Sequence, residues 1–111
     1  MYNCNGTCTI DFRKVRYYAE VHWIIKDALD FPDYYGENWD AFWDCIVDFA
    51  ISNKPVQIDI LGLDILERRF GEDTAKMLLD LMRDAKYRSN GIYSHLMKIE
   101  IVDGDKRVEI Q

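Results

Sequence analysis

The chain has 111 residues, of which 20 are acidic and 14 basic, and its formal net charge is −6. This length is typical of one domain with one hydrophobic core, and a hydrophobic content of 49% argues against a disordered chain. The excess of acid disfavours direct nucleic-acid binding, because clustered Lys and Arg side chains make the contacts to phosphates. An acidic chain instead suits a basic protein partner.

The sequence shows no secretory signal pattern and no apolar run long enough to span a bilayer. We therefore predict a cytoplasmic protein without membrane association. Cys4, Cys8 and Cys45 form an odd set for which no disulfide framework is predicted. Cys4 and Cys8 lack the two further nearby ligands that a zinc site needs, and Cys45 is expected to be a buried thiol on an apolar helix face. We predict no metal and no cofactor.

The predicted elements, in chain order, are a strand at 8–12, helices at 18–29 and 38–50, a strand at 56–61, helices at 64–70 and 72–88, and a strand at 96–102. The helices show apolar residues at helical spacing, whereas the strands alternate. A loop over 30–37 contains Pro32 and Gly36, which interrupt the helical pattern. Asn38 is predicted to cap the second helix, and Ser89-Asn90-Gly91 to end the fourth.

This order, β-α-α-β-α-α-β, predicts an α/β fold, because strands joined by helical crossovers run parallel. Right-handed crossovers that wind in one direction give a three-stranded sheet of order 1-2-3, with all helices packed on one face. The alternating strands indicate that the other face is partly solvated. We predict a single domain over 1–111 with its core at about 8–102. Residues 103–111 either add an antiparallel edge strand through the turn signal Asp103-Gly104 or form a loose charged tail.

The second helix carries a line of carboxylates, here called the acidic face. At roughly 100° per residue, its members fall within an arc of about 80°: Glu37, Asp40, Asp44 and Asp48. The opposite side, predicted to face the core, carries Phe42, Ile46 and Phe49, and the flank carries Trp39, Trp43 and Val47. Most acidic runs are simply solvated. Here no basic residue occurs from residue 27 to residue 53, so like charges one turn apart repel without compensation. Aromatic side chains beside concentrated charge favour a binding surface.

Residues 31–46, FPDYYGENWDAFWDCI, resemble the signature of the barstar family of ribonuclease inhibitors. The resemblance extends more weakly from about residue 8 to residue 102. It implies a small intracellular protein with a three-stranded parallel sheet that plugs the active site of a secreted ribonuclease. Such a protein protects the producing cell, or a neighbour that carries the same immunity. We expect a monomer that forms a 1:1 complex with a basic ribonuclease.

The resemblance also implies which residues bind the partner. Asp40 and Asp44 match the two family carboxylates that enter the ribonuclease site. Phe49 falls where the family has an interface aromatic, and Asp84 where the family carries an acid. The predicted partner-binding residues are Tyr34, Gly36, Asn38, Trp39, Asp40, Trp43, Asp44, Asp48, Phe49 and Asp84.

Two alternatives compete with this interpretation. Paired carboxylates can perform acid/base catalysis or hold a metal. However, His22 and His95 are isolated and are expected at the surface or half-buried, and no phosphate loop or nucleophile motif is present. We therefore predict that the chain is not an enzyme. The second alternative is a barstar-fold immunity protein directed against a different basic toxin or nuclease, which the acidic face would suit equally well.

Overall fold

The computed structural model describes residues 6–52, 56–87 and 97–110. Within these ranges the elements are β1 (Gly6–Asp11), α1 (Tyr18–Leu29), α2 (Trp39–Ser52), β2 (Val56–Leu61), α3 (Leu63–Phe70), α4 (Glu72–Lys86), β3 (Met97–Asp103) and β4 (Lys106–Glu109). The seven predicted elements are confirmed, and each end lies within two residues of its predicted position. The predicted stop signal at residues 89–91 lies outside the described residues. No helix in the described ranges is both long enough and apolar enough to cross a bilayer.

The strands form one sheet of order β1-β2-β3-β4. The first three are parallel, as predicted, and β4 pairs with β3 in the antiparallel direction. Asp103 pairs with Lys106 across a two-residue turn, and Gly104 has φ +59° there. Positive φ at this position is typical of tight hairpins. The hairpin alternative is therefore correct and the loose tail is wrong, although the turn lies one residue later than the signal indicated.

The fold has two layers, because one sheet face packs against the helices. That face contributes Cys8, Ile10, Ile58, Ile60, Met97 and Ile99 to the core, and the helices contribute Val21, Ile25, Leu29, Phe42, Ile46, Phe49, Leu66, Leu78 and Met82. Each strand alternates, so its other side chains point away from the helices. Burial of these apolar side chains supplies the main driving force for folding.

The other sheet face is partly solvated, as predicted, and it also buries two acidic side chains. Asp59 and Glu100 are neighbours in the parallel register, yet they are only 7% and 9% exposed. Arg107 of β4 reaches across the sheet, and its Nη1 lies 3.1 Å from Asp59 Oδ1 and 3.3 Å from Glu100 Oε1. Gln57 Nε2 donates to both carboxylates at 2.8 Å. We call these four residues the Arg107 network. The sequence patterns did not predict the burial of the two acids, because Arg107 lies on β4, which was only one of two alternatives.

The cysteines differ in one respect from the prediction. Cys45 is a buried free thiol, and burial, more than the nearby Asp48 and Asp44, raises its pKa. Cys8, in contrast, is disulfide-bonded. Three cysteines can form one disulfide and leave one free thiol. The sequence analysis did not predict this disulfide, because the cysteine spacing matches no known disulfide framework.

Candidate partner-binding site

The start of α2 is fixed by Asn38, as predicted. Its Oδ1 accepts a hydrogen bond from the Ala41 N–H at 2.8 Å, which satisfies a donor that the first turn of a helix leaves free. Its Nδ2 donates to the Gly36 carbonyl at 3.2 Å. The Asn38 side chain therefore joins the preceding loop to the helix and sets the direction in which α2 leaves that loop.

The burial pattern along α2 follows the predicted wheel. Phe42, Ile46 and Phe49 are fully buried, whereas the flanking residues Trp39, Trp43 and Val47 are half-buried and Asp40, Asp44 and Asp48 are exposed. Phe49 is therefore a correction to the predicted partner-binding set. Its ring packs against Phe31 with centroids 6.4 Å apart, so it offers a partner no surface and supports the helix from the core.

Two helices bring three of the predicted acids together. Asp40 and Asp44 of α2 and Asp84 of α4 line one open groove of about 380 Å³, together with Trp43 and Leu81. We call it the acidic groove. It combines exposed carboxylates with the partly buried surface of an indole and a leucine. Such a mixture suits a ligand that carries positive charge on an apolar or planar body.

The groove acids lack partners of opposite charge among the residues that the structure describes. Asp40, Asp44, Asp48 and Asp84 are all exposed, and the ion pairs between described residues include none of them. On the same helix as Asp84, Asp80 lies 3.0 Å from Lys76 Nζ and 3.7 Å from Arg83 Nη1. The acids of the groove therefore keep their negative potential, whereas their neighbour on α4 is locally neutralised.

Glu37 does not belong to the acidic face in the structure. It precedes α2 and has φ +54°, so the helical wheel does not apply to it. Its Oε1 accepts a hydrogen bond from the Trp23 indole N–H at 2.7 Å. The wheel was wrong here because it extended the helix two residues too far toward the N-terminus.

The loop before α2 exposes one tyrosine and buries the next. Tyr34 is 75% exposed, which leaves it accessible to a partner. Tyr35 is buried, and its hydroxyl forms a hydrogen bond with His22 Nδ1. Burial raises the pKa of Tyr35 above its ordinary value. The two tyrosines therefore have different roles. Tyr35 fixes the loop to the core, whereas Tyr34 projects from the loop into solvent.

His22 lies in the core beneath this loop, and the expectation of a surface or half-buried histidine was wrong. It is 2% exposed, and its ring contacts that of Trp39 edge-on with centroids 4.7 Å apart. Burial lowers the pKa of His22, and the charge of Glu37 opposes that shift. Among the described residues, its Nε2 has no hydrogen-bond partner. His22 is thus held neutral as part of the support for the site. His95 lies outside the described residues.

Three residues next to the site were missed at the level of sequence: Tyr18, Trp23 and Leu81. Tyr18 accepts a hydrogen bond from the Trp39 indole N–H at 3.0 Å, and Trp23 holds Glu37. Trp23 offered a signal in the sequence, because this large aromatic residue lies outside the apolar pattern of α1. In the structure it is 50% exposed. Leu81 offered a weaker signal, since it lies one turn before Asp84 on the same helix.

Outside the acidic groove, the described residues form a second cavity and no cluster that suits a metal ion. No three His, Cys, Asp or Glu side chains among them are grouped so that they could hold a metal ion. A cavity of about 420 Å³ near the C-terminal ends of the strands includes Arg13, Asp64 and Asp103 in its lining. Arg13 is already paired there with Asp11 at 2.8 Å. This cavity contains none of the predicted partner-binding residues.

A sequence model of the family described as "Barstar (barnase inhibitor)" matches residues 5–98. A protein of Bacillus subtilis (strain 168) named "Putative ribonuclease inhibitor YrdF" is 54% identical over 41 residues, which are 37% of this chain and 45% of that protein. The match to this curated relative therefore covers less than half of its length. The family model, in contrast, spans most of the sequence, including the acidic face, and the chain belongs to the barstar family.

Proposed function

We propose that this protein inhibits a basic ribonuclease by placing the acidic groove over the enzyme's active site. The observation that carries the proposal is the convergence of Asp40, Asp44 and Asp84 beside Trp43, without opposing charges among the described residues. The family description, which names an inhibitor of barnase, supports the choice of a ribonuclease as target. The name of the Bacillus subtilis relative, a putative ribonuclease inhibitor, supports it as well.

The chemistry of the target explains why carboxylates would block it. A ribonuclease must hold a phosphate backbone, so Arg, Lys and His side chains line its site. Asp44 can stand in for a phosphate and accept charge-assisted hydrogen bonds from such groups. Asp40 and Asp84 would occupy neighbouring subsites, with Asp48 at the end of the row. The Asp84 carboxylate reaches one methylene less far than a glutamate would.

The aromatic residues around the acids would strengthen these contacts. Tyr34, Trp39 and Trp43 supply apolar surface that excludes water from the ionic contacts at the centre of an interface. Ionic contacts gain strength as water is excluded, because the local dielectric constant falls. In this proposal Gly36 and Asn38 shape the loop and the start of α2, and Phe49 supports the helix from inside.

The net charge of −6 adds a kinetic effect. Attraction between an acidic inhibitor and a basic enzyme accelerates their encounter, and added salt weakens it. Inhibition needs no catalytic step and no cofactor. We further propose that the protein acts as a single-domain monomer in a 1:1 complex in the cytoplasm, where it protects the producing cell from a toxic nuclease.

Titration of a purified ribonuclease tests the proposal directly. Barnase is the appropriate probe, because the family description names it. RNA cleavage by barnase should fall in proportion to added inhibitor and should vanish at one inhibitor per enzyme. Full cleavage at a large molar excess of the protein would overturn the assignment to barnase-type ribonucleases. Inhibition of a basic DNase under the same conditions would then support the alternative toxin class.

A further inference from the structure

Helix α1 holds the segment that leads into the acidic groove. The binding loop, defined as residues 30–37, and the first residue of α2 make three side-chain hydrogen bonds to α1. Trp23 Nε1 donates to Glu37 Oε1 at 2.7 Å, Trp39 Nε1 donates to Tyr18 Oη at 3.0 Å, and His22 Nδ1 pairs with the Tyr35 hydroxyl. The third of these contacts joins two buried side chains, whereas the second is exposed. The first contact, between Trp23 and Glu37, lies at the surface.

Glu37 occupies a backbone conformation that glutamate does not favour. The loop begins at Asp30 with φ +53° and ends at Glu37 with φ +54°, and no other described non-glycine residue has a positive φ. Left-handed conformations crowd the Cβ of an L-residue, so they persist where the surroundings hold them. Glu37 also directly precedes Asn38, the N-cap of α2. The backbone conformation at Glu37 therefore helps to set the direction of the helix that carries Asp40 and Asp44.

Trp23 supplies the contact that holds Glu37. Its indole N–H is a single donor, and its distance of 2.7 Å to a carboxylate oxygen is that of a charge-assisted hydrogen bond. The side chain is 50% exposed, so burial alone does not explain its orientation. Many hydrogen bonds at a surface contribute little. The bond between Trp23 and Glu37 differs because it joins residues 14 positions apart and because Glu37 has a left-handed backbone conformation.

We propose that Trp23 is a positioning residue for partner binding. Its indole N–H holds the Glu37 carboxylate, and thereby keeps the binding loop and the start of α2 in the conformation that the partner recognises. The inference rests on the proposed function, since it concerns the same binding surface. It assigns Glu37 an internal role, in which the carboxylate supports the loop and makes no direct contact with the nuclease.

Substitutions at the two residues separate this role from a direct contact. Trp23→Phe keeps an aromatic ring and removes the donor, and the affinity for barnase should fall by about three- to tenfold, because the apparent Kd rises as the fraction of binding-competent protein falls. Glu37→Ala should have the same effect, and the double variant should be no weaker than either single one. Glu37→Gln keeps an acceptor oxygen for the indole and should bind barnase nearly as well as the wild type.

A measurement without the partner isolates the loop. In the free protein, amide hydrogen exchange at residues 34–38 should be faster in Trp23→Phe than in the wild type, while the urea midpoint of unfolding stays the same. Unchanged exchange together with unchanged affinity would overturn the inference. So would a Glu37→Gln variant that binds as weakly as Glu37→Ala while Trp23→Phe binds normally, because Glu37 would then contact the partner. If the wild type fails to bind barnase, the proposed function fails, and the exchange result still decides whether Trp23 holds the loop.

Discussion

The molecule treats clustered carboxylates in two opposite ways. In the Arg107 network, Asp59 and Glu100 lie side by side on neighbouring strands, almost fully buried, and share one guanidinium and one amide. In the acidic groove, Asp40, Asp44 and Asp84 are exposed, and no cation of the described residues pairs with them. The protein supplies a cation where acids serve its own fold. Where it supplies none, the negative potential is available to the cations of another molecule.

The largest expected effect is on binding and comes from Asp44→Ala. Removal of a charged group that is desolvated in a complex typically weakens binding by about 2–5 kcal/mol, largely because the partner's charges lose their counterpart. The stability of the free protein should hardly change, since Asp44 is exposed. Affinity for barnase and urea unfolding, measured on the same preparation, check both statements.

Asp64→Ala is the matched control for this variant. It removes the same charge from α3, where Asp64 pairs with Arg68 at 3.4 Å and lies outside the acidic groove. It should bind barnase almost as tightly as the wild type. Equal affinities for the Asp44→Ala variant and the wild type would show that Asp44 is not in the interface. The proposed difference in function between the acidic groove and the Arg107 network would then lose its support.

Arg107→Leu should produce the reverse result, with a loss of stability and little change in affinity. Without the guanidinium, two buried carboxylates face each other with only the half-exposed Lys98, 3.9 Å from Glu100 Oε1, as a nearby cation among the described residues, which is unfavourable in a medium of low dielectric constant. The urea midpoint at neutral pH should fall, and the additional change Glu100→Gln should restore much of it, because only one of the two charges then remains. An unchanged midpoint in the Arg107→Leu variant would show that the network is an incidental surface cluster.

The smallest expected effect concerns pH and the support of the binding loop. Because burial lowers the pKa of His22, the unfolded chain binds a proton there more readily than the folded one. Stability from this group is therefore complete above its unfolded pKa of about 6.5 and declines as the pH falls toward its folded value. Between pH 7.5 and 5.5 the loss should not exceed about 1.4 kcal/mol, which is the limit for one histidine that has an unfolded pKa of about 6.5 and stays neutral in the folded protein.

His22→Gln provides the comparison for the pH dependence. It removes the titrating ring, so its unfolding free energy should change less with pH than that of the wild type over the same range. Urea unfolding at the two pH values measures both proteins. Identical pH dependence in the variant and the wild type would mean that His22 does not titrate in this way.

Local sequence patterns predicted most of the fold. The helix at 18–29 and the strand at 56–61 have the predicted bounds, because their periodic apolar residues end at clear turn signals. The same periodicity placed Phe42 and Ile46 in the core and Asp40 and Asp44 at the surface. These features depend on contacts along one helix or strand, so spacing alone determines them.

The remaining features depend on residues distant in the chain. The buried state of Asp59 depends on Arg107, which is 48 positions away, and the hydrogen bond of Glu37 is made to Trp23 of α1, which is 14 positions away. Phe49 shows a different limit. The helical wheel placed it in the core, whereas the resemblance to the family placed it at the interface, and the structure agrees with the wheel. The meeting of Asp84 with Asp40 was implied by the resemblance alone, because no local pattern joins α2 to α4.

The C-terminal strand bears on how concentrated the protein can become. The proposed one-to-one inhibition requires a cell to hold at least as many copies of the protein as of its target enzyme. β4 covers the hydrogen-bonding edge of β3, and its own four residues include Lys106, Arg107 and Glu109. Short, charged edge strands discourage the sheets of neighbouring copies from joining. The family match ends at residue 98, so this protection against aggregation at high abundance comes from a segment outside the matched region.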